Sequence, residues 1–162
     1  MLRLILMRHA KSDWTMDGTD HDRPLNARGA RSALALGDWL RGNACLPDHV
    51  LCSSALRTRQ TLEGLAIEAT RSFDPALYLA SAQVMLGLLR DAPRGNILMI
   101  GHNPGIAELA ARLVSKAPDH PRFADYPTGS TLVIGIDVET WDGVEAGKGN
   151  VQGFVTARDL TD

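Results

Sequence analysis

The sequence predicts a single α/β domain, residues 1–162, in which helices cover both faces of a mostly parallel sheet. Three observations support this fold class. Short apolar runs, typical of strands buried on both faces, recur along the chain. Segments with helical spacing of apolar residues separate these runs. The length is sufficient for one domain with its own hydrophobic core. We therefore expect three layers, α/β/α.

The first half of the chain alternates strand and helix. The first predicted strand covers residues 2–7, and a polar loop, residues 11–24, follows it. Asn26 is placed to cap the first helix, which ends at Gly42 and Asn43. The second strand, residues 49–52, leads to a helix that starts near Ser53 and Ser54. The residues predicted to form the buried side of that helix are Leu56, Leu62, Leu65 and Ala66.

The second half continues this alternation and ends differently. A weak third strand at residues 72–75 precedes a helix at 83–90, and a fourth strand at 96–100 precedes a helix at 106–114. Residues 131–136 and 151–155 form the last two predicted strands, which we expect to pair as a hairpin with a long loop.

Composition and charge exclude several functional classes. Lys and Arg total 17 and Asp and Glu total 19, so the net charge of −2 gives no general electrostatic reason to bind nucleic acid or an acidic membrane. No apolar run approaches the roughly 18 residues that span a bilayer. The two cysteines, Cys45 and Cys52, are consistent with reduced thiols. We therefore expect a cytoplasmic protein.

Charged and polar residues follow three of the predicted strands. Arg8 and His9 come directly after the first strand, Arg57 lies in the segment after the second, and His102 follows the fourth. Each group alone fits a turn or a solvated helix face. The carboxyl ends of parallel strands meet at one edge of a sheet, so the groups are expected to converge there. Cations, hydrogen-bond donors and the N-terminus of a helix together predict a site for a phosphoryl group.

The ordered set of motifs resembles the histidine phosphatase superfamily, the phosphoglycerate-mutase-like proteins, and within it the SixA-type phosphohistidine phosphatases. The resemblance extends from residue 2 to about residue 113. It implies a phosphoglycerate-mutase-like fold, a histidine nucleophile, a second histidine, two arginines, and neither metal nor other cofactor. The motifs that carry it are Arg8-His9-Ala10-Lys11-Ser12, Arg23-Pro24-Leu25-Asn26, Ser53 with Arg57, Gln60 and Thr61, and Gly101-His102-Asn103-Pro104.

The residue types fit those roles. His9 must be neutral to attack phosphorus, and the positive charges of Arg8 and Arg57 should lower its pKa. The other ring nitrogen of His9 is expected to donate to a backbone carbonyl. Arg8 and Arg57 can each bind two phosphoryl oxygens, and His102 can donate to the same oxygens. Arg23 has two interpretations: it reaches the phosphate, or it pairs with the Asp residues of its own loop.

One feature departs from the superfamily pattern. Many members carry a glutamate after the third strand as the proton donor to the leaving group, and no glutamate stands there in this chain. Asp74, or Asp22 or His21 from the loop, is the candidate replacement. A missing acid harms an alkyl phosphate more than phosphohistidine, because imidazole can leave as a neutral ring. The departure therefore favours phosphohistidine as the substrate.

The short stretch between Phe73 and Asn96 favours the same substrate. It leaves no room for the large insertion that covers the pocket in bigger relatives. An uncovered site suits phosphohistidine on the surface of a partner protein, such as a histidine phosphotransfer domain. We expect the site to bind phosphate and phosphate analogues as well.

Three alternatives remain open at this point. The first is a small-molecule phosphomonoesterase or a mutase of the same fold, although a mutase needs a pocket that retains its phosphorylated intermediate. The second is a metal site built from His9, His21 and His102 with the aspartates between residues 13 and 22, where nearby arginines would repel the cation. The third is a binding module that holds a phosphorylated partner without turnover.

Overall fold

In the computed structural model, which describes residues 1–162, six strands form one sheet: β1 (Leu2–Arg8), β2 (His49–Ser53), β3 (Thr70–Asp74), β4 (Ile97–Gly101), β5 (Thr131–Ile136) and β6 (Asn150–Val155). Their order across the sheet is β3-β2-β4-β1-β5-β6. The first four strands are parallel, and β5 and β6 are antiparallel to their neighbours. The predicted mostly parallel sheet and the terminal hairpin are both confirmed.

Helices cover the two faces of the sheet. They are α1 (Ala27–Gly42), α2 (Leu56–Leu65), α3 (Ala82–Arg90), α4 (Gly105–Leu113) and α5 (Ala157–Thr161). One face carries α1, α2 and α5, and the other carries α3 and α4. Each face has its own cluster of buried apolar side chains, so the α/β/α layering is confirmed. None of these helices combines the length and the apolar character that a membrane span requires.

The N-terminus of α1 packs directly on the loop that follows β1. The Asn26 side chain accepts a hydrogen bond from the Gly29 amide at 2.8 Å, so the predicted cap is present. A Cβ atom on Gly29 would lie 2.0 Å from the carbonyl oxygen of Lys11. Only glycine allows this close approach, which fixes the loop after β1 against the helix.

The helix after β2 differs from its prediction in two respects. It begins at Leu56, and no side chain caps it, because the N-cap residue is Ala55. The hydroxyls of Ser53 and Ser54 contact histidine rings. Ala66, the last residue predicted to be buried on this helix, is exposed. Its backbone adopts the left-handed conformation, with φ of 51°, because the helix ends there. The residues buried along the helix are Arg57, Thr58, Thr61, Leu62 and Leu65.

Candidate active site

His9 lies just beyond the end of β1, and 5% of it is exposed. Its backbone amide donates to the carbonyl of Gly101, and its own carbonyl accepts from the amide of Gly129. The ring nitrogen Nδ1 lies 2.7 Å from the carbonyl oxygen of Ala10. A carbonyl can only accept, so Nδ1 carries the proton of the neutral ring and Nε2 keeps a free lone pair. This is the form of histidine that can attack phosphorus.

His102, beyond the end of β4, is the nearest aromatic neighbour of that ring. The centroids of the His9 and His102 rings are 5.3 Å apart. Nε2 of His102 lies 2.7 Å from Oγ of Ser53, which also accepts from the amide of Ala55. One arrangement that satisfies both groups has the Ser53 hydroxyl donating to Nε2, which places the His102 proton on Nδ1. Nδ1 is buried and has no partner in the protein.

Two arginines complete the buried part of the site. Arg57 is 2% exposed, and both of its terminal nitrogens bond Asp20: one to the backbone oxygen at 2.7 Å, the other to the carboxylate at 3.0 Å. Arg8 donates to the carbonyl of Tyr126 at 3.2 Å. Nε of each arginine is buried without a partner in the protein. Buried donors of this kind are rare, and an oxyanion with several oxygens supplies the acceptors they need.

The electrostatics keep both histidines neutral at pH 7. Burial, with smaller contributions from His102, Arg8 and Arg57, lowers the pKa of His9 to about 3. Burial and the charge of Arg57 lower the pKa of His102 to about 3 as well. His9 therefore keeps its nucleophilic lone pair across the neutral and mildly acidic range.

These pKa values predict how stability depends on pH. In the unfolded chain histidine binds a proton near pH 6.5, whereas folded His9 and His102 do not. The contribution of the two neutral rings to the free energy of unfolding is fully present above that pH. It is lost as the pH falls from about 6.5 to 3, by up to roughly 1.4 kcal/mol per pH unit for each ring. We expect His9→Gln to flatten this slope in urea unfolding measured from pH 7 to pH 5. An unchanged slope would show that His9 is protonated in the folded protein.

Asp20 is a site residue that the sequence analysis did not single out. Its Oδ2 accepts from Arg57 and from the Tyr78 hydroxyl, and its Oδ1 accepts from Arg23 at 3.1 Å. The Tyr78 hydroxyl, followed by Arg23 and Arg57, lowers the pKa of Asp20 well below its usual range. The available signal was weak: Asp20 stands three residues before Arg23 in a loop with several aspartates.

Arg23 pairs with an aspartate of its own loop, Asp20, as the second of its two interpretations expects. Its Nε is buried without a partner, like those of Arg8 and Arg57, so its contact with the phosphate stays a prediction. Besides its bond to Asp20, it donates to the Ser12 hydroxyl. Its guanidinium lies 3.6 Å from the ring centroid of Trp14. Arg59 is exposed and lies near Phe73, with 5.9 Å from its guanidinium to the ring centroid. Arg59 thus points away from Arg57, as helical spacing predicts.

The candidate proton donors occupy different surroundings. The Asp22 carboxylate is 77% exposed and contacts Thr19 and His21. Asp74 accepts from the amide of Ala76 and caps the short turn after β3. Neither carboxylate has a hydrogen bond or ion pair to His9, His102, Arg8 or Arg57.

His21 lies closer to the site than the two aspartates. Its Nε2 is 2.8 Å from the Ser54 hydroxyl, and its ring meets Tyr78 edge-on at 4.9 Å. Tyr78 in turn packs against His102 at 5.5 Å between ring centroids. No group of three His, Cys, Asp or Glu side chains has the arrangement of a metal site.

Comparison with known proteins adds an independent line of evidence. Residues 4–78 match the model of the histidine phosphatase superfamily (branch 1). A protein from Nakamurella multipartitia, assigned to the SixA phosphohistidine phosphatases, superposes with a TM-score of 0.84 at 30% identity over 94% of each chain. The phosphohistidine phosphatase SixA of Escherichia coli is 27% identical over 69% of this chain and 74% of its own. A protein histidine phosphatase SixA solved with tungstate has a TM-score of 0.77 at 22% identity, covering 98% of this chain and 99% of its own.

Proposed function

The chain belongs to the histidine phosphatase superfamily (branch 1), and we propose that this phosphatase removes the phosphoryl group from phosphohistidine on a protein, through a phosphorylated His9. The observation that carries the proposal is the neutral, buried ring of His9. Its free Nε2 lies beside His102 and two arginines that hold unpartnered donors.

The first chemical step transfers the phosphoryl group to the enzyme. The lone pair on Nε2 of His9 forms a bond to phosphorus while the P–N bond of the substrate breaks. The electron pair of that bond goes to the substrate imidazole, which leaves. Arg8, Arg57 and Nδ1 of His102 donate to the phosphoryl oxygens, and they stabilise the charge that develops there. Their positions are fixed before substrate arrives, since all three side chains are hydrogen-bonded to the protein.

The second step returns His9 to its starting state. A water molecule attacks phosphorus, the P–N bond to His9 breaks, and its electron pair returns to Nε2. The water proton passes to the departing phosphate or to solvent. The hydrogen bond from Nδ1 to Ala10 keeps the ring in one tautomer through both steps, so each cycle begins with a free Nε2.

The surroundings of the site support a substrate carried by another protein. Between β3 and β4 the chain contains only a short turn (Pro75–Leu77) and α3, so no inserted segment covers the site from there. A folded partner such as a histidine phosphotransfer domain can then present its side chain to His9. The tungstate bound by a SixA protein supports the binding of tetrahedral oxyanions at this kind of site.

A comparison of substrates tests this function. We expect kcat/KM for a phosphorylated histidine phosphotransfer domain to exceed that for a sugar phosphate by at least about tenfold, or roughly 1.4 kcal/mol. The reason is that imidazole leaves as a neutral ring, whereas an alkoxide must be protonated by an acid, and neither Asp22 nor Asp74 contacts the residues around His9. An aryl phosphate, with its better leaving group, should fall between the two. Equal turnover of the sugar phosphate would instead favour a small-molecule phosphomonoesterase.

A further inference from the structure

Asp20 is the ionised acid that lies closest to the buried donors of the site. Arg57, His9 and His102 are each at most 5% exposed, whereas the side chain of Asp20 is 44% exposed. Asp20 therefore lies on the outer side of Arg57, between the phosphoryl-binding groups and solvent. A leaving group attached to a partner protein must also lie between these buried donors and solvent.

The Asp20 carboxylate is held in place and still has room to accept another hydrogen bond. Oδ2 already accepts from Arg57 and Tyr78, and Oδ1 accepts from Arg23. A carboxylate offers about four acceptor positions, so one remains on Oδ1. With Arg57 and Arg23 on one side, the carboxylate stays ionised at neutral pH. It is thus an acceptor rather than an acid that could protonate a leaving group.

Aromatic rings lie beside this carboxylate. Tyr78 contacts the rings of His21 and His102 edge-on, and its hydroxyl donates to Asp20. The guanidinium of Arg57 lies 5.8 Å from the centroid of the Tyr78 ring. A planar, positively charged ring can pack against Tyr78 and donate to Asp20 at the same time.

Resting on the proposed function, we propose that Asp20 accepts a hydrogen bond from the leaving imidazole of phosphohistidine and thereby keeps that ring protonated. The phosphoryl group is on one ring nitrogen and the proton is on the other. When the P–N bond breaks, its electron pair goes to the first nitrogen, the second keeps its proton, and a neutral imidazole leaves. No proton is transferred in this step, so the missing glutamate is not needed for this substrate. Asp20 therefore determines specificity for a leaving group with an N–H.

The test compares two substrates in Asp20→Asn. A nearby anion raises the pKa of a cationic group by about one unit or more, so kcat/KM for a phosphorylated phosphotransfer domain should fall about tenfold above neutral pH. The decline of kcat/KM for this substrate at alkaline pH should begin about one pH unit lower in Asp20→Asn than in the wild-type protein. Turnover of p-nitrophenyl phosphate should fall clearly less, because its leaving group has no N–H to hold, and its loss measures what Asp20 contributes through Arg57 alone. Asp20→Glu, which keeps the charge, should restore part of the loss.

Asp17→Asn is the matched control, since it removes the same charge from the same loop at an exposed position without an ion pair. It should leave both substrates unchanged. Equal losses on both substrates in Asp20→Asn would overturn the inference and leave Asp20 as a residue that only positions Arg57. A selective loss in Asp17→Asn would also overturn it. If the wild-type protein fails to hydrolyse the phosphorylated domain, the proposed function itself fails, and this result is independent of the variants.

Discussion

Replacing His9 with alanine is expected to reduce turnover by about 10⁴-fold or more, the scale on which loss of a nucleophile acts in other enzymes. The reason is that the carbonyl of Ala10 holds Nδ1 of His9 as a donor, which leaves the lone pair on Nε2 free to attack phosphorus. Rapid mixing with a radiolabelled phosphoryl substrate, followed by denaturation without acid, should trap the label on His9 in the wild-type protein. His9→Ala should show no label and an unchanged circular dichroism spectrum.

His120 provides the control for this experiment. Its ring pairs with Asp159 and packs against Phe154, outside the group of residues around His9. His120→Ala should retain both label and turnover. Label on a serine, or turnover without any covalent label, would contradict the nucleophilic role of His9.

Changing Arg57 to lysine is expected to reduce kcat/KM about ten- to hundredfold, corresponding to roughly 1.5–3 kcal/mol for hydrogen bonds to a charged group. Lysine keeps the positive charge, but one ammonium group cannot replace the planar set of donors. In the structure, the two terminal nitrogens of Arg57 bond Asp20 while Nε remains for a substrate oxygen. Steady-state kinetics with p-nitrophenyl phosphate measure the loss independently of the leaving imidazole.

Arg59→Lys is the matched control, on the same helix and with the same change of residue type. Arg59 is exposed beside Phe73, so its substitution should alter kcat/KM little. A larger loss in Arg59→Lys than in Arg57→Lys would mean that Arg59, rather than Arg57, binds the phosphoryl group.

The sheet and the convergence of four site residues could be predicted from the sequence, because one topological rule relates strand ends to the site. Parallel strands end at one edge, so residues that follow β1, β2 and β4 had to converge. Arg8, His9, Arg57 and His102 all lie there in the structure. Apolar periodicity likewise indicated most helix and strand positions. Their catalytic roles stay predictions until they are measured.

The remaining features depend on side-chain contacts between segments that no local pattern connects. Asp20 meets Tyr78 across 58 positions of the sequence, and the hydroxyl of Ser53 meets His102 across 49. Helix ends were uncertain for a similar reason: Ala66 has an apolar side chain but adopts the left-handed conformation that ends α2. A buried arginine in α2 also departs from the usual expectation that arginine is exposed, and its ion pair with Asp20 compensates the burial of its charge.

The position of β1 in the middle of the sheet has a consequence for biosynthesis. Leu4 pairs with Ile97 on one side and with Ile134 on the other. Both partner strands lie far along the chain, so β1 leaves the ribosome long before either of them. Such non-local pairing slows folding and leaves an apolar strand exposed to aggregation while it waits. His9 acquires its backbone contacts only when Gly101 and Gly129 arrive. Recovery of activity during refolding is therefore expected to follow the docking of β4 and of the segment before β5 against β1, and not the formation of β1 alone.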